Sequence, residues 1–180
     1  TIKNKYNIKS KYILLGVATS WTEKKGFNDY ITLSSSLPKE YTIILVGLTI
    51  KQLKNLPKSI IGIPRTENIQ ELVKLYSAAD IVLNLSVEET FGLTTVEGFA
   101  CGTPGIVYNC TASPELITKE TGLVVEKNNI TALKNAIFEI ISNGKNHYSS
   151  ACRERAVNHY NKEDRYNEYI QLYNEILNRK

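Results

Sequence analysis

The chain has 180 residues, 42% of them hydrophobic, and a formal net charge of +4. That apolar content supplies one core and excludes a disordered chain, and no apolar run nears the ~20 residues of a membrane span. The mild positive balance lacks a cluster dense enough for a nucleic-acid face, yet it is compatible with a small anionic ligand.

The start, TIKNKYNIKSKY, is basic and polar and lacks the apolar segment of a secretory signal. With Thr1 first and no methionine anywhere, the chain reads as an excised piece of a longer protein. YILLGVA (12–18) and YTIILVG (41–47) are continuous apolar runs, as strands buried on both faces require. Between them, residues 26–37 have helical spacing at Phe27, Tyr30, Ile31 and Leu33. TIKQLKNL is a short helix closed by Pro57, SIIGI (59–63) a third strand, and residues 67–79 an amphipathic helix. DIVLNL (80–85) is a fourth strand. A helix over about 95–100 and a fifth strand, PGIVYN, follow. SPELI then starts a helix, with Ser113 placed to cap and Pro114 at the first position, before a sixth strand, TGLVVE. Beyond residue 128 the pattern is helical only, with a last helix over 162–178 that carries apolar residues at Tyr166, Tyr169, Ile170 and Tyr173.

Strands alternating with helices imply a parallel sheet, so the fold class is α/β, doubly wound, in one domain over 1–180. Cys101, Cys110 and Cys152 are an odd count without metal-ligand spacing and read as free thiols of a reducing cytoplasm. NLS, NCT and NIT fit the glycosylation sequon, which matters only in secretion.

Ligands of such sheets bind at the carboxyl ends of strands, which selects three loops. In the first, ATSWTEKKGF, Ser20-x-x-Glu23 has the form of a capping box, and Lys24 and Lys25 stand where a lysine can reach an anion or remain solvated. Trp21 is either a packing residue or a wall of a cleft. In the second, Arg65 and Thr66 lie between a strand end and a helix that Asn68 can cap. Arg65 suits a base or phosphate contact, or a bare surface. The third, VEETFGLTTVEGFACGTPG, places acids at Glu89 and Glu97 around Gly92. Thr94-x-x-Glu97 is a capping box in form, which accounts for Glu97 without a ligand but leaves Glu89 and Gly92 unexplained. A helix amino end attracts phosphate and a glutamate there suits a sugar diol, so the loop fits a molecule that carries both. His147 and His159 fall in the C-terminal helices, away from the three loops.

Glu89-x7-Glu97 within EETFGLTTVEGFACGTPGIVY resembles the signature of retaining, glycogen-synthase-like glycosyltransferases of the GT-B fold. ILLGVATSWTEKKGF, YTIILVG, ELVKLYSAADIVLNLS and SPELI with TGLVVE resemble its companion blocks in order and spacing, over roughly residues 12–142. The resemblance implies a C-terminal, Rossmann-like donor-binding domain, with an N-terminal acceptor domain outside this chain and little transfer by this piece alone. It implies that Glu97 holds the ribose hydroxyls and Glu89 a hydroxyl of the donor sugar. Lys25 neutralises the leaving phosphate, and the amides of Gly92, Leu93 and Thr94 face the diphosphate. Arg65 and Thr66 flank the base. No cofactor or metal is implied; the nucleotide-diphosphate sugar is the donor substrate and a glycan, as in polysaccharide biosynthesis, the acceptor. The full enzyme is expected in the cytoplasm, peripheral to the inner face of the membrane. A nucleotide-sugar epimerase and a non-catalytic donor-binding subunit are the rival readings.

Two departures bear on the site. The family's arginine after the first-strand glycine is replaced by Val17 and Ala18, which moves the phosphate grip to Lys24 and Lys25. Its Gly-Gly before Pro-Glu is here Thr111-Ala112. The tyrosine-rich face of the last helix is expected either to pack on its own domain or to be exposed and drive self-association.

Overall fold

The structure, a computed structural model, describes residues 1–179. The six apolar runs become strands β1 (Tyr12–Val17), β2 (Tyr41–Val46), β3 (Ile60–Ile63), β4 (Ile81–Asn84), β5 (Gly105–Tyr108) and β6 (Gly122–Val125). They form one parallel sheet in the order β3-β2-β1-β4-β5-β6. Alternation along each strand divides the core in two. Leu14, Ile43, Leu45, Ile81 and Leu83 face one layer, and Ile13, Leu15, Ile44, Val46 and Val82 the other. Burial on both faces is why these strands lack polar alternation.

The helices are α1 (Ile2–Lys5), α2 (Phe27–Ser36), α3 (Ile50–Lys54), α4 (Ile69–Ala78), α5 (Leu93–Ala100), α6 (Ser113–Leu116), α7 (Ile130–Asn143), α8 (Lys145–Tyr160) and α9 (Lys162–Asn178). Tyr30 and Leu33 of α2, Phe99 of α5 and Leu133 and Ile137 of α7 fill the first layer, and Leu75 and Tyr76 of α4 the second. None of these helices is long and apolar enough to cross a membrane.

The capping pattern is partly as expected. Asn68 caps α4, its side chain accepting from the Glu71 amide at 2.9 Å. Ser113 instead sits inside the first turn of α6, and its buried hydroxyl has no partner among the described residues. Ser20 caps nothing: the short 3-10 turn starts at Glu23 behind Thr22, without a side-chain cap. A reciprocal capping box not anticipated from the sequence joins Thr49 and Gln52 at the start of α3.

The polar start is also structured. Ile2 and Ile8 enter the second core layer, and Lys5 and Tyr6 converge on Glu71 of α4 at 2.5 and 2.6 Å. Glu71 also accepts from the Glu67 amide at 2.7 Å. The Lys5 hydrogen bond, then those from Tyr6 and the Glu67 amide, hold the Glu71 carboxyl down to about 2. A carboxylate depressed in the folded state stabilises above its ordinary value of 4.5, and that contribution is lost as pH falls through about 2. Glu71→Gln is therefore expected to lower stability at neutral pH by ~1 kcal/mol, reduced by the exposure of Lys5. Thermal unfolding of both proteins from neutral pH downward should show the gap closing near pH 2; a gap independent of pH would remove the ion pair as its cause.

Helix α8 buries Tyr148, Cys152 and Ala156 in the first layer and also reaches out through its polar side chains. Lys145 Nζ donates to the carbonyls of Ser77 and Ala79, both at 2.7 Å, at the end of α4. Arg153 donates to the Ala100 carbonyl that ends α5. Arg155 donates from Nε and Nη2 to the carbonyls of Leu116 and Glu115, at 2.6 and 2.8 Å, at the end of α6. These are the orphan acceptors of three helix termini, each given a cation. Helix α9 buries no residue, so of the two expectations for its tyrosine face, exposure is the one observed.

Candidate functional site

Strands β1 and β4 are neighbours from which the chain departs toward opposite edges of the sheet, and this is where an open α/β sheet forms a crevice. A cleft of about 230 Å³ lies there. It is lined by Val17 at the end of β1 with Ala18 and Thr19 after it, by Lys25, and by Asn84 at the end of β4 with Ser86 and Glu89–Thr94 after it.

The Lys24–Lys25 turn is strapped to the loop after β4. Gly26 takes a left-handed φ of 69° so close to β4 that an added Cβ would lie 2.3 Å from the Leu85 carbonyl oxygen. The Val87 amide donates to the Lys24 carbonyl at 2.8 Å. The two lysines then part. Lys24 pairs with Glu88 at 2.6 Å on the exposed side and is not among the residues lining the cleft. Lys25 pairs with Glu89 at 2.9 Å inside it.

Glu89 is largely enclosed, its side chain 14% exposed. Burial pushes its carboxyl upward, but the Lys25 hydrogen bond and charge, with the Phe91 and Thr90 amides, outweigh this and hold it below the ordinary glutamate range. The Glu89 amide donates to Thr111 Oγ1 at 2.8 Å. Thr111 has a left-handed φ of 47°, rare for a β-branched residue. This left-handed position is held by a threonine whose hydroxyl anchors the opposite loop.

Helix α5 begins earlier than expected. Gly92, at φ 92°, is its N-cap residue, and no side chain caps it. The Thr94–Glu97 capping box does not form, because Thr94 is already inside the first turn and Glu97 bonds elsewhere. The Thr95 and Val96 amides return to the Gly92 carbonyl at 3.0 and 3.4 Å. Among the described residues, the amides of Gly92, Leu93 and Thr94 have no protein acceptor. They sit in the cleft wall, at the positive end of the helix.

Glu97 lies one turn further along α5 and accepts a 2.7 Å hydrogen bond from the Tyr76 hydroxyl. Burial first, then the charge of Glu97 and the hydrogen bond to it, raise the Tyr76 phenol far above its ordinary range, so it remains a donor. Arg65 and Thr66 line a second cavity of about 340 Å³ that shares Ala18 and Thr19 with the cleft. Thus Lys25, Glu89, Gly92, Leu93 and Thr94 are brought together, Arg65 and Thr66 adjoin them, and Lys24 and Glu97 stand outside the cleft lining. Trp21 is a packing residue: it is buried, stacks edge-on with Tyr30 and donates to the Val46 carbonyl at 2.8 Å.

Two contributors, Asn84 and Tyr76, escaped the sequence reading. Asn84, at the end of β4, donates to the buried Thr95 hydroxyl at 3.3 Å and accepts from the Ser86 amide at 3.3 Å. An asparagine closing an apolar strand at its carboxyl end was the available signal. Tyr76 gave none, since its contact depends on a distant segment, and Thr111 was legible as a departure but not as the partner of the Glu89 amide.

The sheet order, the crevice at its switch point and the uncapped helix end define a Rossmann-like α/β domain of the GT-B kind. The chain belongs to the glycosyl transferases group 1 family, whose model matches residues 1–159. A GDP-mannose-dependent alpha-(1-6)-phosphatidylinositol dimannoside mannosyltransferase of Mycobacterium tuberculosis is 37% identical over 82 residues, 46% of this chain and 21% of that protein. The N-acetyl-alpha-D-glucosaminyl L-malate synthase of Bacillus anthracis is 25% identical over 98% of this chain and 49% of its own length. The crystal structure of a glycosyltransferase from Rickettsia africae superposes with a TM-score of 0.85 at 25% identity, covering 99% of this chain and 52% of that one. The chain therefore spans about half the length of relatives matched along its whole extent, and it corresponds to the C-terminal domain of the GT-B fold.

Proposed function

We propose that this chain is the donor-binding half of a retaining glycosyltransferase that takes a nucleoside-diphosphate sugar and serves transfer to a glycan or lipid-linked acceptor. The observation that carries the reading is the meeting of Lys25, Glu89 and three unpartnered amides in one cleft. A departing diphosphate gathers negative charge as the glycosidic bond to it breaks. Oriented amides and an ammonium group stabilise that charge without having to reorganise. Glu89, kept ionised, accepts hydrogen bonds from a sugar hydroxyl beside the reacting carbon. Glu97, oriented by Tyr76, receives the ribose diol, and the cavity at Arg65 and Thr66 receives the base.

The test is a thermal-shift titration of the chain with UDP, GDP, ADP and their sugars, with GDP first because one relative is named for GDP-mannose. Saturation by one nucleotide is expected to raise the midpoint, by ~2.7 kcal/mol of linkage at a hundredfold excess over Kd. Glu97→Ala is expected to abolish most of that rise. No shift with any nucleotide, in this chain and in the longer protein alike, would overturn the reading.

A further inference from the structure

The segment that presents the free amides has few backbone ties of its own. Glu89 is anchored to Thr111 and Ala112 through its amide and carbonyl. The Thr90 amide turns back on the Glu89 carboxylate at 3.2 Å. From there to the first amide bond of α5 at Thr95, support comes from side chains. Phe91 meets Tyr160 edge to face, ring centroids 5.6 Å apart at 81°. Gly92 lies so close to Leu116 that an added Cβ would stand 2.7 Å from Leu116 Cδ1. One residue stands behind both contacts: the Arg155 guanidinium is 5.9 Å from the centre of the Tyr160 ring, and it donates to the Leu116 carbonyl at 2.6 Å.

We propose that Tyr160, backed by Arg155, is a positioning residue for the donor site, setting the loop that aims the Gly92–Thr94 amides into the cleft. It acts through the Phe91 ring and makes no contact with the donor. Tyr160 lies just past the region matched by the family model. It is also the last residue of α8, one residue, Asn161, short of α9, so the brace joins the C-terminal helices to the cleft wall. The contribution is that of the aromatic ring, since no hydrogen bond in the brace uses the hydroxyl.

The inference rests on the proposed donor site, and its test has one readout independent of it. Amide hydrogen exchange over residues 87–96 and 112, without ligand, would be compared for wild type, Tyr160→Ala and Tyr160→Phe. The expected result is about tenfold faster exchange at Thr95, Val96 and Ala112 in Tyr160→Ala, with unchanged exchange in the sheet and wild-type behaviour in Tyr160→Phe. In parallel, nucleoside-diphosphate binding should weaken about tenfold in Tyr160→Ala and recover in Tyr160→Phe. Unchanged loop exchange in Tyr160→Ala, equal acceleration throughout the molecule, or failure of phenylalanine to rescue would overturn the brace. Failure of the wild type to bind any nucleotide would instead strike the proposed function, leaving the exchange comparison to decide the positioning role.

Discussion

Lys25→Ala is expected to weaken nucleoside-diphosphate binding about 10- to 100-fold while leaving the unfolding midpoint almost unchanged. The asymmetry follows from where the lysine sits. In this pair Glu89 is largely enclosed but the lysine is 36% exposed, and a pair with one partner open to solvent contributes ~0–1 kcal/mol to folding. Against a diphosphate in the cleft, the same ammonium supplies a charge-assisted bond that no neighbouring lysine replaces, because Lys24 is turned outward onto Glu88. The substitution also has a second signature. Burial is the largest influence on Glu89 and pushes its carboxyl up, with Lys25 as the main counterweight. Removing the lysine is therefore expected to raise the Glu89 titration, followed by carboxyl-carbon NMR, and to make donor binding fall earlier as pH drops. Wild-type affinity in Lys25→Ala would exclude the lysine from the phosphate site.

Gly92→Ala combines a folding cost with a comparable loss of binding. Alanine at a φ of 92° is strained, and its Cβ would meet Leu116, a buried residue pinned at its carbonyl by Arg155. A strained backbone of this kind costs ~1–3 kcal/mol, roughly 2–10 °C in the midpoint for a chain of this size. The segment can relieve the strain only by moving, and the carbonyl of Gly92 is the first acceptor of α5. The helix end shifts with it. A displacement of ~1 Å in preorganised donors is expected to reduce donor binding about 100-fold, as calorimetry on the folded variant would measure. A folded Gly92→Ala protein that binds donor normally would show that the amides do not carry the phosphate.

The sheet was legible because strands buried on both faces must be continuous apolar runs, as YILLGV and YTIILV are. The position of the site was legible for a topological reason, since Lys25 and Glu89 each follow a strand that ends at the same edge. What escaped was set by segments far apart in the chain. Thr94 and Glu97 satisfy the pattern of a capping box, but tertiary contacts start the helix one residue after Gly92 and give Glu97 to Tyr76, 21 positions upstream. Lys24 and Lys25 are indistinguishable as neighbours in sequence. Only the turn at Gly26, held against Leu85, sends one inward and the other out. The polar start gave no sign of docking because its anchor, Glu71, reads as a helix-capping acid of α4.

The cation that α8 places on the far end of α5 changes how the cleft looks to an approaching anion. A free helix is a dipole whose two poles partly cancel at a distance, so its attraction dies away quickly. Arg153, bonded to the Ala100 carbonyl, offsets the negative pole. The positive pole at Gly92 is then less opposed by the helix's own far end, and the ionised Glu89 beside it is the charge that still counters it. The formal charge of the chain thus says little about the cleft, where the pull on an anion depends on how the end of an eight-residue helix, Lys25 and Glu89 are placed relative to one another.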